Sequence, residues 1–199
     1  MSACRWTTTA NGSAPTLAEP LDAITNAAFL IASTALLWQL AKATPRPPVA
    51  AWILPGLLGL VGLCSLSFHT FATEFTGALD TLSILALILT AVVLIVRSGW
   101  NVPWRWAWLA APAYLVAAFA LNTLLQAIGG DKATLGGYIP AFVGLAGFGL
   151  VLRARELNLA AAVFAVSLTL RTLDDPLCGS FPAGTHFLWH CLNAIVCTW

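Results

Sequence analysis

Charge is what this chain has least of. Only 9% of its 199 residues are Asp, Glu, Lys or Arg, against about 25% in an ordinary soluble domain. Another 59% are apolar, and the mean hydropathy is +0.86. That balance excludes a water-soluble globular protein and leaves a membrane protein. The net charge is +1 and no basic run is present, which excludes a polyanion-binding surface and any nucleic-acid partner. The five cysteines include no C-x-x-C pair, so a structural zinc knuckle has no support. The opening stretch "MSACRWTTTANGSAPTLAEP" lacks the basic and apolar regions of a cleavable signal. It is expected to stay on the mature protein, with the first apolar segment directing insertion. Internal repeats, low-complexity tracts and long linkers are also missing, which points to one domain over residues 1–199 with a polar segment at 1–18.

What is present is a succession of apolar runs. A span of hydrocarbon needs about 20 apolar residues. Seven candidates fall at Leu21–Ala41, Ala50–Phe71, Phe75–Val96, Arg105–Ala127, Gly137–Leu152, Leu157–Leu173 and Thr185–Trp199. The breaks are short and polar or rich in Pro and Gly, such as "KATPRPP" (42–48) and "IGGDKATLG" (128–136). Helices satisfy their own backbone in lipid, so the expected fold is an all-α, seven-transmembrane helix bundle. The breaks after spans one, three and five hold Lys42, Arg46, Arg97, Arg105, Arg153 and Arg155, and the other side holds Arg5, Lys132 and Arg171. By the positive-inside rule the N-terminus is outside and the C-terminus cytoplasmic.

Ionisable residues at bilayer depth are costly and need a reason. The three histidines, His69, His186 and His190, all fall at outer ends of spans, with Asp80 about one turn into the third span from the same side. His186 and His190 are spaced i, i+4, which puts both rings on one helix face where they can share a metal ion. His69 can supply a third ligand, and three imidazoles with an open position suit a catalytic zinc. Bland readings stand beside this one. A histidine in a span often packs or anchors at the interface, Asp80 can pair with Arg171, and a serine such as Ser65 commonly bonds backbone between membrane helices.

The spacing adds a resemblance. "SLSFHTFATEFTGALD" reads Ser65-x3-His69-x10-Asp80, and "RTLDDPLCGSFPAGTHFLWH" reads Arg171-x2-Asp174-x3-Cys178-x7-His186-x3-His190. This pattern resembles the alkaline ceramidases, within the wider superfamily of seven-helix membrane hydrolases that includes the progestin and adipoQ receptors. "AEPLDAITNAAF" (18–29) is similar to the segment opening the first helix of alkaline ceramidases. The inward C-terminus agrees with the ceramidase branch and not with the receptor branch.

The resemblance implies that His69, His186 and His190 bind Zn2+, that Asp80 acts on the water zinc activates, and that Ser65 lies beside the metal to bond the substrate carbonyl or the water. It implies a lipid amide hydrolase in the bacterial cell membrane, cleaving the N-acyl bond of ceramide or a related lipid to a long-chain base and a fatty acid. It also implies a calcium site joining Glu19 to an acidic N-terminal segment. Residues 1–18 here contain no Asp or Glu, and one carboxylate with neutral oxygens makes a poor Ca2+ site. Cys178 matches a family cysteine bonded to one near the N-terminus, for which Cys4 is the candidate. The alternative class is a seven-helix lipid receptor whose zinc is structural. A transporter fits less well, because the acids and histidines gather near one face instead of crossing the midplane.

Overall fold

The structure is a computed structural model and describes residues 20–177, 179–181 and 183–198. Among the described residues every regular element is a helix. The first apolar run forms α1 (Pro20–Thr25) and α2 (Ala27–Lys42), separated at Asn26. The next two form α3 (Ala50–Phe71) and α4 (Glu74–Gly99). A short α5 (Trp104–Ala107) leads into α6 (Ala110–Gly129), then a 3-10 segment (Asp131–Gly137) into α7 (Ile139–Val151). The chain closes with α8 (Arg155–Leu177) and α9 (His186–Val196).

Five segments are long and apolar enough to cross a membrane: Pro20–Lys42, Ala50–Phe71, Glu74–Gly99, Trp104–Gly129 and Arg155–Leu177. The remaining two expected spans form shorter helices, 13 residues in α7 and 11 in α9. At a rise of about 1.5 Å per residue, neither reaches the roughly 30 Å of a hydrocarbon core by itself. The sixth run, in contrast, is longer than its apolar stretch predicts. α8 starts at Arg155 and continues through Asp174 and Asp175 to Leu177, because Asp174 is buried and partnered there and does not need solvent.

The bundle is inverted relative to a soluble protein. Ile31, Val116, Phe119 and Ile128 are exposed, whereas Asn26, Ser65, His69, Ser167, Asp174 and His190 are buried. Apolar side chains on the outside cost nothing when the solvent is lipid, and inward polar groups then meet each other. Small residues let the helices approach. Gly59 of α3 leaves room for Ser33 of α2, which donates to the Pro55 carbonyl at 2.6 Å, and a Cβ at Gly59 would lie 2.9 Å from that hydroxyl.

Local chemistry at one joint and helix packing at another place the functional groups. Ala72 adopts the left-handed conformation (φ 50) and its N–H caps Phe68, which ends α3. Thr73 then starts α4 with a capping box to Thr76, satisfying helix-end N–H groups reciprocally. This two-residue turn folds the last turns of α3 against the first turns of α4, so Ser65 and His69 come beside Asp80. At the other end of the chain α9 packs against α8, α2 and α1, and α1 also meets α3. The N-terminal turn of α9 is thereby brought to the α1, α3 and α4 corner.

Candidate metal centre

His69 comes from the last turn of α3, and His186 and His190 from successive turns of α9. All three are buried, with exposures of 3%, 8% and 3%. One ring nitrogen of each lies within 4.8 Å of the others. The ring centroids are separated by 5.5 Å (His69 to His186), 4.8 Å (His69 to His190) and 4.9 Å (His186 to His190), and every pair is tilted or edge-on, none stacked face to face. Three imidazoles stripped of water and turned toward one point make a donor set that can hold a metal ion.

Two partners fix these ligands, and sequence reasoning found neither role. Thr25 Oγ1 lies 3.0 Å from His190 Nδ1 and also donates to the Leu21 carbonyl at 2.9 Å. A hydroxyl has one proton to give. Once that proton serves Leu21, the Thr25 oxygen accepts from Nδ1–H, which leaves the lone pair of His190 on Nε2. Partners of this kind set the tautomer and orientation of a ligating histidine. The second is Asp174. Its Oδ1 accepts from the backbone N–H of Thr185 at 2.7 Å and of His186 at 3.0 Å, so a carboxylate on α8 caps the start of α9. This satisfies orphan donors and complements the helix dipole. Farther along, Ser167 of α8 donates toward the Trp189 carbonyl and Asn193 Oδ1 of α9.

The Asp174 cap gives a direct expectation. Asp174→Ala should lower the stability of the bundle by about 1–3 kcal/mol, the cost of stranding buried donors. Asp174→Asn keeps an acceptor oxygen and should lose less. Thermal unfolding in mild detergent reads both.

Asp80 and Ser65 stand beside the triad. Ser65 is buried, and both it and His69 are close enough to the Asp80 carboxylate to act on it electrostatically. Asp80 Oδ1 is itself buried and has no hydrogen-bond partner among the described residues. The alternative pairing of Asp80 with Arg171 is not seen among the described residues. The guanidinium carbon of Arg171 lies instead 4.9 Å from the Tyr138 ring centroid and 5.6 Å from that of Trp189. Trp189 is buried against Tyr138 and Phe164 and borders the site.

A cavity of about 870 Å³ opens from this cluster. Its wall includes the three histidines, Ser65 and Asp80, then runs along α4 from Gly77 through Leu87 and Ala91 to Ser98. That stretch of helix is roughly 31 Å long at 1.5 Å per residue, close to the thickness of a hydrocarbon core, about 30 Å. The rest of the lining is mainly Leu, Ile, Val, Ala and Phe. The cavity therefore has one polar end, at the imidazoles, and a long apolar body.

Glu19, Cys4, Arg5 and Cys178 lie outside the described residues, so the expected calcium and disulfide positions do too. Cys64, Cys191 and Cys197 are free thiols and partly buried, and Cys197 packs against the core cluster of Phe29, Leu58 and Ala194. No protein-family model matches the chain, and no curated protein and no solved structure is similar enough to it to count as a match.

Proposed function

We propose that the chain is a zinc-dependent intramembrane amidase that hydrolyses the N-acyl bond of ceramide or a related lipid amide to a long-chain base and a fatty acid. One observation carries this reading: three buried imidazoles converge beside a carboxylate with an unpartnered oxygen, at the polar end of a lipid-sized apolar cavity. A receptor with a purely structural metal would need the imidazoles but not the carboxylate. The sequence resemblance to alkaline ceramidases supports the same reading.

The donor set fits zinc. Three neutral nitrogens are a common catalytic zinc set, and the adjacent Asp80 offsets charge that would otherwise stand in a poor dielectric. His69, His186 and His190 would hold the ion. When bound, zinc supplies Lewis acidity that polarises a carbonyl and makes water acidic near neutral pH. The chain's own residues do the rest. Asp80 Oδ1 takes one proton from the attacking water and returns it to the amide nitrogen as the C–N bond breaks, so the products are a free amine and a fatty acid. Ser65, beside Asp80 in the cavity wall, offers a hydroxyl to the substrate carbonyl or the water. The apolar wall along α4 holds the acyl chain and excludes bulk water, which strengthens each electrostatic contact at the polar end.

The topology belongs to this reading as well. Seven helical segments cross or enter the bilayer, with α7 and α9 as short ones, the N-terminus outside and the C-terminus cytoplasmic, in a bacterial inner membrane. The bias of Lys42, Arg46, Arg97, Arg105, Arg153 and Arg155 to one side supports that orientation. The metal site then opens toward the outer leaflet.

Purified protein incubated with ceramide and other N-acyl lipids tests the activity. Release of fatty acid that stops on metal removal and returns with zinc is expected. Zinc-loaded protein that cleaves no acyl lipid would favour the receptor. A quieter prediction concerns Thr25. Thr25→Val removes the partner of His190 Nδ1 with little change in shape and should weaken metal affinity about 10–100-fold, read by chelator competition, with the helical content unchanged.

A further inference from the structure

Arg171 lies on α8, one turn before Asp174, and lines the cavity near its polar end. Its guanidinium packs over Tyr138 and Trp189, which themselves meet edge to face at 4.9 Å. Neither contact is to a hydrogen-bond acceptor, so both leave the N–H donors of the guanidinium for another partner. Among the described residues no carboxylate or carbonyl accepts from them. Arginine cannot shed its proton, and a cation at membrane depth with no such partner among the described residues is costly enough to mark a function.

The surroundings hold a place for this group. Gly136 has φ +67, and a Cβ there would lie 3.0 Å from Arg171 Nη1 and 3.2 Å from Nη2. A glycine in the loop before α7 thus lets the backbone fold around the fork without pushing it away. Trp189, the second ring beneath the guanidinium, sits between His186 and His190 in α9. The cation is therefore seated against the same helical turn that carries two of the imidazoles.

We infer that Arg171 is an anion-reading residue: its guanidinium pairs with a carboxylate carried by the lipid at the polar end of the cavity. This rests on the cavity being the lipid site of the proposed hydrolase. A planar fork matches a carboxylate in two parallel hydrogen bonds, and a pair formed inside an apolar cavity is little screened by salt. Two sources supply that chemistry. An acidic group on the amine side of the substrate, as in an N-acyl amino acid, would make the enzyme selective for anionic lipid amides. The carboxylate of the released fatty acid would make Arg171 a product-holding site.

Equilibrium binding to the purified protein in neutral lipid nanodiscs separates these. The probes are N-palmitoylglycine against uncharged N-palmitoylethanolamine, and palmitate against palmitamide. In the wild type the acid of at least one pair should bind ten-fold or more tighter than its neutral analogue. A preference in the first pair places the carboxylate on the substrate; one in the second pair alone places it on the product. Arg171→Gln should erase the preference while zinc content is retained, and Arg171→Lys should keep part of it. Gly136→Ala leaves the charge in place but crowds the fork, so it should also weaken the preference and serves if Arg171→Gln does not fold. Equal binding of acid and neutral analogue in the wild type, or an undiminished preference in Arg171→Gln, overturns the inference. Hydrolysis is followed separately. An acid preference without cleavage counts against the amidase alone, and ceramide cleavage without an acid preference counts against Arg171 alone.

Discussion

His190→Ala should leave a folded helical bundle that carries almost no metal and cleaves no lipid. His190 is a buried ligand of the triad and the one held by Thr25, and its loss leaves only His69 and His186 facing the site. Two imidazoles are a poor zinc set, so the loss of affinity should exceed the about 10–100-fold expected for removing an outer partner. The fold should survive because other contacts anchor α9: the Asp174 cap at Thr185 and His186, the Ser167 bonds at Trp189 and Asn193, and the packing of Trp189 on Phe164. Elemental analysis and circular dichroism on the same preparation separate the two effects. A variant that unfolds would show that the histidine is structural. One that keeps its metal would remove His190 from the ligand set.

Asp80→Asn should separate metal binding from turnover. Asn is close in shape, but its amide oxygen is a far weaker base than a carboxylate. Proton transfer by a placed side chain typically contributes about 10²–10⁴ in rate, so hydrolysis should fall by that order while metal content stays near the wild-type value. Ser65→Ala should cost less, because Ser65 is a neighbour of Asp80 in the cavity wall and not the base itself. Full activity in Asp80→Asn would mean that another group moves the proton, and Asp80 would then be a charge balance for the site and no more.

Much of this arrangement was legible in the sequence where it depends on local chemistry. The long apolar runs of α3 and α4 and the tight link at Ala72 and Thr73 need only hydrophobicity and turn preference. The i, i+4 spacing of His186 and His190 fixes one helix face whatever the tertiary fold. The nearness of His69 to them followed from placing all three at one end of their spans, and the structure brings them within 4.8 Å. Helix lengths were less legible, since hydropathy reports apolar stretches and not where a helix stops. α8 runs on to Leu177, past Asp174, because that carboxylate finds the N-terminus of α9.

The supporting residues were not legible because each acts across helices. Asp174 is 11 residues from Thr185 and 12 from His186, and nothing local announces a cap at that range. Thr25 meets His190 across 165 residues of chain. A signal for it did exist: "LDAITN" puts Asp22, Thr25 and Asn26 on one face of an otherwise apolar opening, and a polar face in a membrane segment turns inward. Arg171 looked like a counterion for Asp80 when only charge was counted. Its stacking on Tyr138 and Trp189 depends on a close loop at Gly136 that composition does not reveal.

The central claim is that His69, His186 and His190 form a zinc site, and the metal content of the wild-type protein tests it most directly. Protein purified in detergent without added metal and without chelator should carry close to one zinc per chain by mass spectrometry of the elements. A preparation that is folded, free of zinc and unable to take it up would contradict the account at its foundation.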